Sequence, residues 1–172
     1  METAVAYAGK RVLVTGHSGF KGTWLSLWLT RLGAQVFGLS LDPPSNPAMA
    51  ELVGLDALVP GARLDIRDAA ELARQVAACS PQVVFHLAAQ PLVRPSYADP
   101  LGTFSTNTMG VANLLNACRN VPSIQAVVIV TSDKCYQNNE WCWGYRETDP
   151  MGGHDPYSAS KGCAELVTQS FA

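Results

Sequence analysis

A chain of 172 residues, 48% of them hydrophobic, is long enough to enclose one domain core. Its formal net charge of −2 gives no electrostatic footing for nucleic acid or an anionic membrane, and no apolar run is long enough to span a bilayer. The five cysteines are odd in number and lack paired metal-ligand spacing, so the pattern fits free thiols in a reducing cytoplasm, with no metal site, better than a disulfide framework.

In chain order, residues 11–15 (Arg-Val-Leu-Val-Thr) read as a buried strand, 16–22 as a turn and 22–32 as a helix carrying Trp24, Leu25, Leu27, Trp28 and Leu29, ended by Gly33. Strand, glycine turn and helix start together form a phosphate cradle, because free backbone N–H groups and the positive helix end face an anion. Gly16, Gly19 and Gly22 follow Gly-x-x-Gly-x-x-Gly, one residue longer than the most familiar dinucleotide fingerprint, and are expected to surround a pyrophosphate with Phe20 and Lys21 at the turn. The second strand, 35–41, should end in an acidic residue that grips an adenosine ribose; Ser40 stands there instead, and Asp42 follows two residues later, before Pro43 and Pro44. No arginine follows this strand to receive an extra phosphate, which favours NAD over NADP.

A third strand is expected at 62–65 and a helix at 68–78, opened by the capping-box-like Asp68-Ala69-Ala70-Glu71. Residues 82–88 are nearly continuous in apolar side chains, as a strand covered on both faces should be, and His86 reads as a packed core histidine. Ala88, Ala89 and Gln90 at its tip should run past a cofactor, since ligands of open α/β sheets sit outside the carboxyl ends of the strands. Arg94 faces either a substrate diphosphate or solvent. A helix at 103–119, a strand at 126–132, a long lid-like loop with Trp141 and Trp143 packed as anchors, and a helix at 157–171 complete the pattern. Alternating strands and helices predict a doubly wound, Rossmann-like parallel sheet, a single domain over 1–172.

The last third carries the chemistry. Tyr157 and Lys161, four residues apart, share one helix face. A free tyrosine ionises near pH 10 and serves as a base at neutral pH only if a neighbouring cation favours its phenolate, which Lys161 is spaced to do. Asp155 and Pro156 read as cap and first helical residue, so Tyr157 lies near a helix start, which also favours an anion. Upstream, Thr131-Ser132-Asp133-Lys134 sets polar groups on the tip of the strand at 126–132.

These motifs, with His86-Leu87-Ala88-Ala89-Gln90, Cys135-Tyr136, Trp143-Gly144-Tyr145-Arg146-Glu147 and the run from Gly152 to Leu166, resemble the extended short-chain dehydrogenase/reductases over nearly the whole chain from about Lys10. Within that family the similarity is to the CDP-D-glucose 4,6-dehydratases. The resemblance implies NAD-dependent oxidation at C4 of CDP-glucose, loss of water across C5 and C6, and hydride return to C6. Tyr157 and Lys161 then act as base and its support, Ser132 orients the sugar hydroxyl, and Asp133 and Lys134 stand in the positions of the eliminating acid and base. As the acid, Asp133 has to carry its proton at neutral pH, which implies a dry site. The resemblance also puts Asp65 and the backbone of Ile66 at the adenine edge, Asn107 in the helix beside the site, and Gln90, Arg94 and Ser132 near the nucleotide sugar. Lys134 departs from the similar dTDP-glucose dehydratases, which carry glutamate there. A nucleotide-sugar epimerase, a dehydratase for another nucleotide sugar, or an NAD-binding piece without turnover remain alternatives. The carboxyl-terminal substrate-binding part of such enzymes is expected to be missing, and homo-oligomers are expected to form through helices near 101–119 and 157–171.

Overall fold

A computed structural model describes residues 6–172. Its centre is a five-stranded parallel sheet in the order β3-β2-β1-β4-β5, formed by Arg11–Thr15 (β1), Gln35–Ser40 (β2), Gly61–Arg63 (β3), Val83–His86 (β4) and Ala126–Ile129 (β5). The connecting helices are Phe20–Arg31 (α1), Met49–Leu52 (α2), Leu55–Leu58 (α3), Ala69–Cys79 (α4), Val93–Ala98 (α5), Pro100–Phe104 (α6), Gly110–Cys118 (α7) and Pro156–Phe171 (α8). Among the described residues no helix is long and apolar enough to cross a membrane.

Successive side chains of a strand point to opposite faces, and β1 shows this directly. Leu13 joins Leu39, Leu72, Val76, Val84 and Leu114 in a core beneath α4 and α7, while Val12 and Val14 join Leu29, Val36, Leu55 and Val59 beneath α1 and the short helices. Both faces of the sheet are therefore covered, which is why β1 and β4 read as unbroken apolar runs. A smaller cluster of Val111, Leu115 and Ala164 packs α7 against α8 beside β5.

From β1 the chain passes to β2 on one side and later crosses to β4 on the other, so the sheet order reverses between β1 and β4. The carboxyl ends of those two strands open a crevice at this switch point, where a doubly wound sheet receives a ligand. Pairing of Thr15 with both Leu39 and His86 sets the three tips level with one another.

Several boundaries differ from the pattern-based expectation. α1 starts at Phe20, so Phe20 and Lys21 belong to its first turn rather than to the loop. β3 ends at Arg63 and leaves Asp65 outside the sheet, and β5 ends at Ile129, so Ser132 lies beyond the strand tip. The expected single helix at 103–119 is α6 and α7 joined by a π turn, Ser105–Met109. The turn is Ser-Thr-Asn-Thr-Met, and nothing in that composition distinguishes a π turn from an α-helical one.

Candidate active site

The glycine turn is built by contact rather than by flexibility alone. Gly16 has φ of +72°, and a Cβ there would stand 2.7 Å from the Ala88 nitrogen; one on Gly22 would stand 2.1 Å from the Gly16 carbonyl oxygen. The turn therefore lies flat against the tip of β4 and the first turn of α1. Gly19 caps α1 without a side-chain hydrogen bond, and the first turn holds no acidic residue. The other long helices opening from this region differ: Asp68 caps α4 by accepting from the Glu71 N–H, and Asp155 caps α8 by accepting from the Ser158 N–H at 2.9 Å. Alone among these three helices, α1 has no side-chain cap, which leaves its initial N–H groups for an external anion. The residues present fit a dinucleotide pyrophosphate.

On the far wall, the β4 tip is locked in place. Asn107, in the π turn and 2% exposed, donates to the Gln90 carbonyl (3.0 Å) and to Ser160 Oγ (2.9 Å), and accepts from the Gln90 N–H (2.8 Å). Ser160 in turn donates to the Tyr157 carbonyl at 2.7 Å. One asparagine thus couples the strand tip to the helix that carries the tyrosine. Ser96 adds a second link, accepting from the Tyr157 N–H at 3.2 Å and donating to the Val93 carbonyl at 2.6 Å. Ser96 and Ser160 were not singled out from sequence, although Ser160 sits inside the Tyr-Ser-Ala-Ser-Lys run.

Tyr157 is buried, with its hydroxyl 3.4 Å from Ser132 Oγ. Lys161 lies 6.0 Å from the tyrosine ring centre and is 6% exposed. Burial pulls the Lys161 ammonium below its ordinary pKa, Glu165 one turn further along opposes that shift, and Lys21 adds to it. Glu165 is itself held by a hydrogen bond from Thr131.

His86 is buried, as read. Its Nδ1 lies 2.6 Å from Thr15 Oγ1, which also receives the Ala88 N–H at 3.3 Å, and its Nε2 has no protein partner. Loss of solvation, with Lys161 nearby, lowers the ring's pKa to about 3. The ring is neutral, and it ties β1 to β4 beneath the crevice.

Other expected positions have partners of their own or stand in solvent. Gln90 spends its side chain inside the loop: Nε2 donates to Thr103 Oγ1 and to the Leu92 carbonyl, both at 3.0 Å, and Oε1 accepts from the Leu92 N–H. The Asp65 carboxylate is bonded to the Arg67 guanidinium, a contact that lowers its pKa, so no free carboxylate stands beside the backbone of Ile66. Arg94 is exposed on α5 and makes no ion pair among the described residues. Asp133 and Lys134, in a short 3₁₀ turn capped by Ser132, are exposed rather than enclosed in a dry site. Trp143 is not a packed anchor, being 72% exposed; the loop is ordered instead by Tyr136 stacked on Tyr145 at 5.2 Å and by Trp141 against Tyr145.

Comparison with known proteins agrees with this geometry. The family model described as GDP-mannose 4,6 dehydratase matches residues 13–172. A CDP-glucose 4,6-dehydratase of Salmonella typhimurium is 58% identical over 165 residues, covering 96% of this chain and 46% of that protein. Among solved structures, an epimerase of Methanothermobacter thermautotrophicus superposes with a TM-score of 0.86 at 29% identity, over 99% of this chain and 50% of its own. A UDP-glucose 4-epimerase of Stenotrophomonas maltophila, solved with NAD and formylated UDP-arabinopyranose, gives a TM-score of 0.81 at 27% identity over 95% of this chain and 48% of its own. The chain spans about half the length of these relatives. With a switch-point crevice, an uncapped glycine-turn helix and a buried tyrosine–lysine pair, it belongs to the GDP-mannose 4,6 dehydratase family of extended short-chain dehydrogenases/reductases.

Proposed function

We propose that this chain is the cofactor-binding and catalytic portion of an NAD-dependent 4,6-dehydratase acting on CDP-glucose. The observation that carries the reading is the buried Tyr157 aimed at Ser132 with Lys161 beneath it, in a chain 58% identical to a CDP-glucose 4,6-dehydratase. Gly16, Gly19, Phe20, Lys21 and Gly22 would hold the pyrophosphate, and the backbones of Ile66, Ala88 and Ala89 would flank the adenosine and nicotinamide ends. The NAD in a structural neighbour supports the choice of cofactor. When bound, the dinucleotide supplies a hydride acceptor for C4 and the hydride that later goes to C6.

The protein's own groups do the rest. Ser132 hydrogen-bonds the C4 hydroxyl, and Tyr157 as phenolate takes its proton. The buried Lys161 charge favours the phenolate by proximity. The ketone at C4 acidifies the C5 hydrogen; Lys134, as the neutral amine, removes that proton and Asp133 protonates the departing C6 hydroxyl, so one water leaves, and Lys134 returns the proton to C5 when C6 is reduced. Both side chains lie in solvent, and the acid–base work assigned to them requires the sugar to displace that water. Arg94, exposed on α5, would meet the diphosphate.

Mass spectrometry of CDP-glucose incubated with NAD and this protein, in the full-length form of its relatives, tests the assignment. Loss of one water without net NADH is expected, and unchanged CDP-glucose alongside a converted UDP-, GDP- or dTDP-glucose overturns it. Asp133→Asn is expected to retain C4 oxidation while slowing water loss. Equal loss of both steps overturns the assignment of Asp133 as the eliminating acid.

A further inference from the structure

Beyond β5, which ends at Ile129, the Val130 N–H still bonds the His86 carbonyl at 3.0 Å. Ser132 lies two residues further on, in extended backbone (φ −158°, ψ 169°), so the sheet alone does not fix where its hydroxyl points. Thr131, between them, reaches across to α8. Its hydroxyl donates to Glu165 Oε1, and a carboxylate partner makes this a charge-assisted bond, about twice as strong as a neutral one. Both side chains are half-buried. Glu165 stands one turn past Lys161 and two past Tyr157, so one face of α8 carries all three. It is close enough to raise the pKa of Lys161, yet its hydrogen bond goes to the threonine.

The residue after that threonine is Ser132, whose Oγ lies 3.4 Å from the Tyr157 hydroxyl and accepts the Lys134 N–H at 3.2 Å. Its carbonyl accepts the Cys135 N–H at 3.1 Å. We propose that the Thr131–Glu165 bond is a positioning clamp. It pins the extension of β5 to the helix that carries the tyrosine, and so holds Ser132 where it can share a sugar hydroxyl with Tyr157. Thr131 and Glu165 act through Ser132 rather than on the reacting atoms. A displacement of the serine by about 1 Å is enough to cost about 10²-fold in rate, which gives a bond one residue away its leverage. This rests on the dehydratase reading of the site.

The test combines hydrogen exchange on this chain with kinetics on the protein in the full-length form of its relatives. Thr131→Val keeps the shape and removes the donor, Thr131→Ser keeps the donor, and Glu165→Ala removes the acceptor. In Thr131→Val the Lys134 and Cys135 amides, both bonded to Ser132, should exchange about fivefold to tenfold faster, with those of β1 and β4 unchanged. With CDP-glucose, Thr131→Val should lower kcat by about 10- to 100-fold while KM stays within about twofold. Glu165→Ala should lose at least as much, and Thr131→Ser should stay within about threefold of the wild type. In a Ser132→Ala background, Thr131→Val should cost less than about twofold more, because the residue it positions has lost its hydroxyl. Losses that multiply in the double variant, an equal loss in Thr131→Ser, or unchanged exchange at Lys134 and Cys135 overturn the proposal and leave the dehydratase reading standing. Full-length wild type that turns over no CDP-glucose overturns that reading, and the catalytic role of the clamp with it.

Discussion

The two sides of the candidate active site are built on different physical terms. On one side, Tyr157, Ser160, Lys161 and Asn107 are each under a tenth exposed, and Asn107 and Ser160 spend every polar contact on a protein partner. On the other, Asp133 and Lys134 stand in water on a 3₁₀ turn, followed by a loop whose order comes from stacked aromatic rings. Buried polar groups must be satisfied by exact partners, so the first side is stiff before any ligand arrives. Exposed groups face no such demand, and their geometry depends on what covers them. The difference separates the two halves of the proposed reaction: the groups for C4 oxidation are preset, and those for water loss are set by the substrate.

The sharpest way to break this comparison is to remove the phenol. Tyr157→Phe should lower turnover of CDP-glucose by about 10²- to 10⁴-fold, read by product mass, with the fold intact by circular dichroism. If turnover persists, the buried side is not where the proton goes. Next is the asparagine. Asn107→Ala removes three hydrogen bonds and leaves their buried partners unpaired, so unfolding in denaturant should cost about 3 kcal/mol less. A loss below about 0.5 kcal/mol would mean that the two walls are not coupled through this residue.

The rigid side should also show itself in pH. His86 has a folded pKa of about 3 against 6.5 for the free ring, so unfolding takes up a proton between those values. The stability it supports is complete above pH 6.5 and is lost as pH falls toward about 3. Its contribution to the slope is at most about 1.4 kcal/mol per pH unit. Denaturant midpoints for His86→Gln should fall less steeply across this window than those of the wild type; parallel slopes would show that the ring is not held neutral. The smallest effect belongs to the loop: Trp143→Ala, at a side chain 72% exposed, should change stability by no more than about 0.5 kcal/mol.

Legibility in the sequence follows the same division. Features set by neighbours in the chain were readable: the alternation of strands and helices, the glycine turn, the Asp68 and Asp155 caps, and the four-residue spacing of Tyr157 and Lys161. Features set by distant partners were not. Nothing local announces that Arg63 will meet Asp42, that Gln90 will turn its amide to Thr103, or that Thr15 will pair with His86 across 71 residues. Burial of the 133–134 pair was misread for a related reason, since a polar run beside a strand carries no mark of what will lie over it.

The π turn at Ser105–Met109 has one more consequence, for insertions and deletions. A single wide turn amounts to one extra residue in an otherwise regular helix. Each residue of an α-helix advances it by about 100°, so deleting one here would rotate Asn107 and everything before it relative to α7. The asparagine would then face away from Ser160. The length of this segment is fixed by the bonds that Asn107 makes.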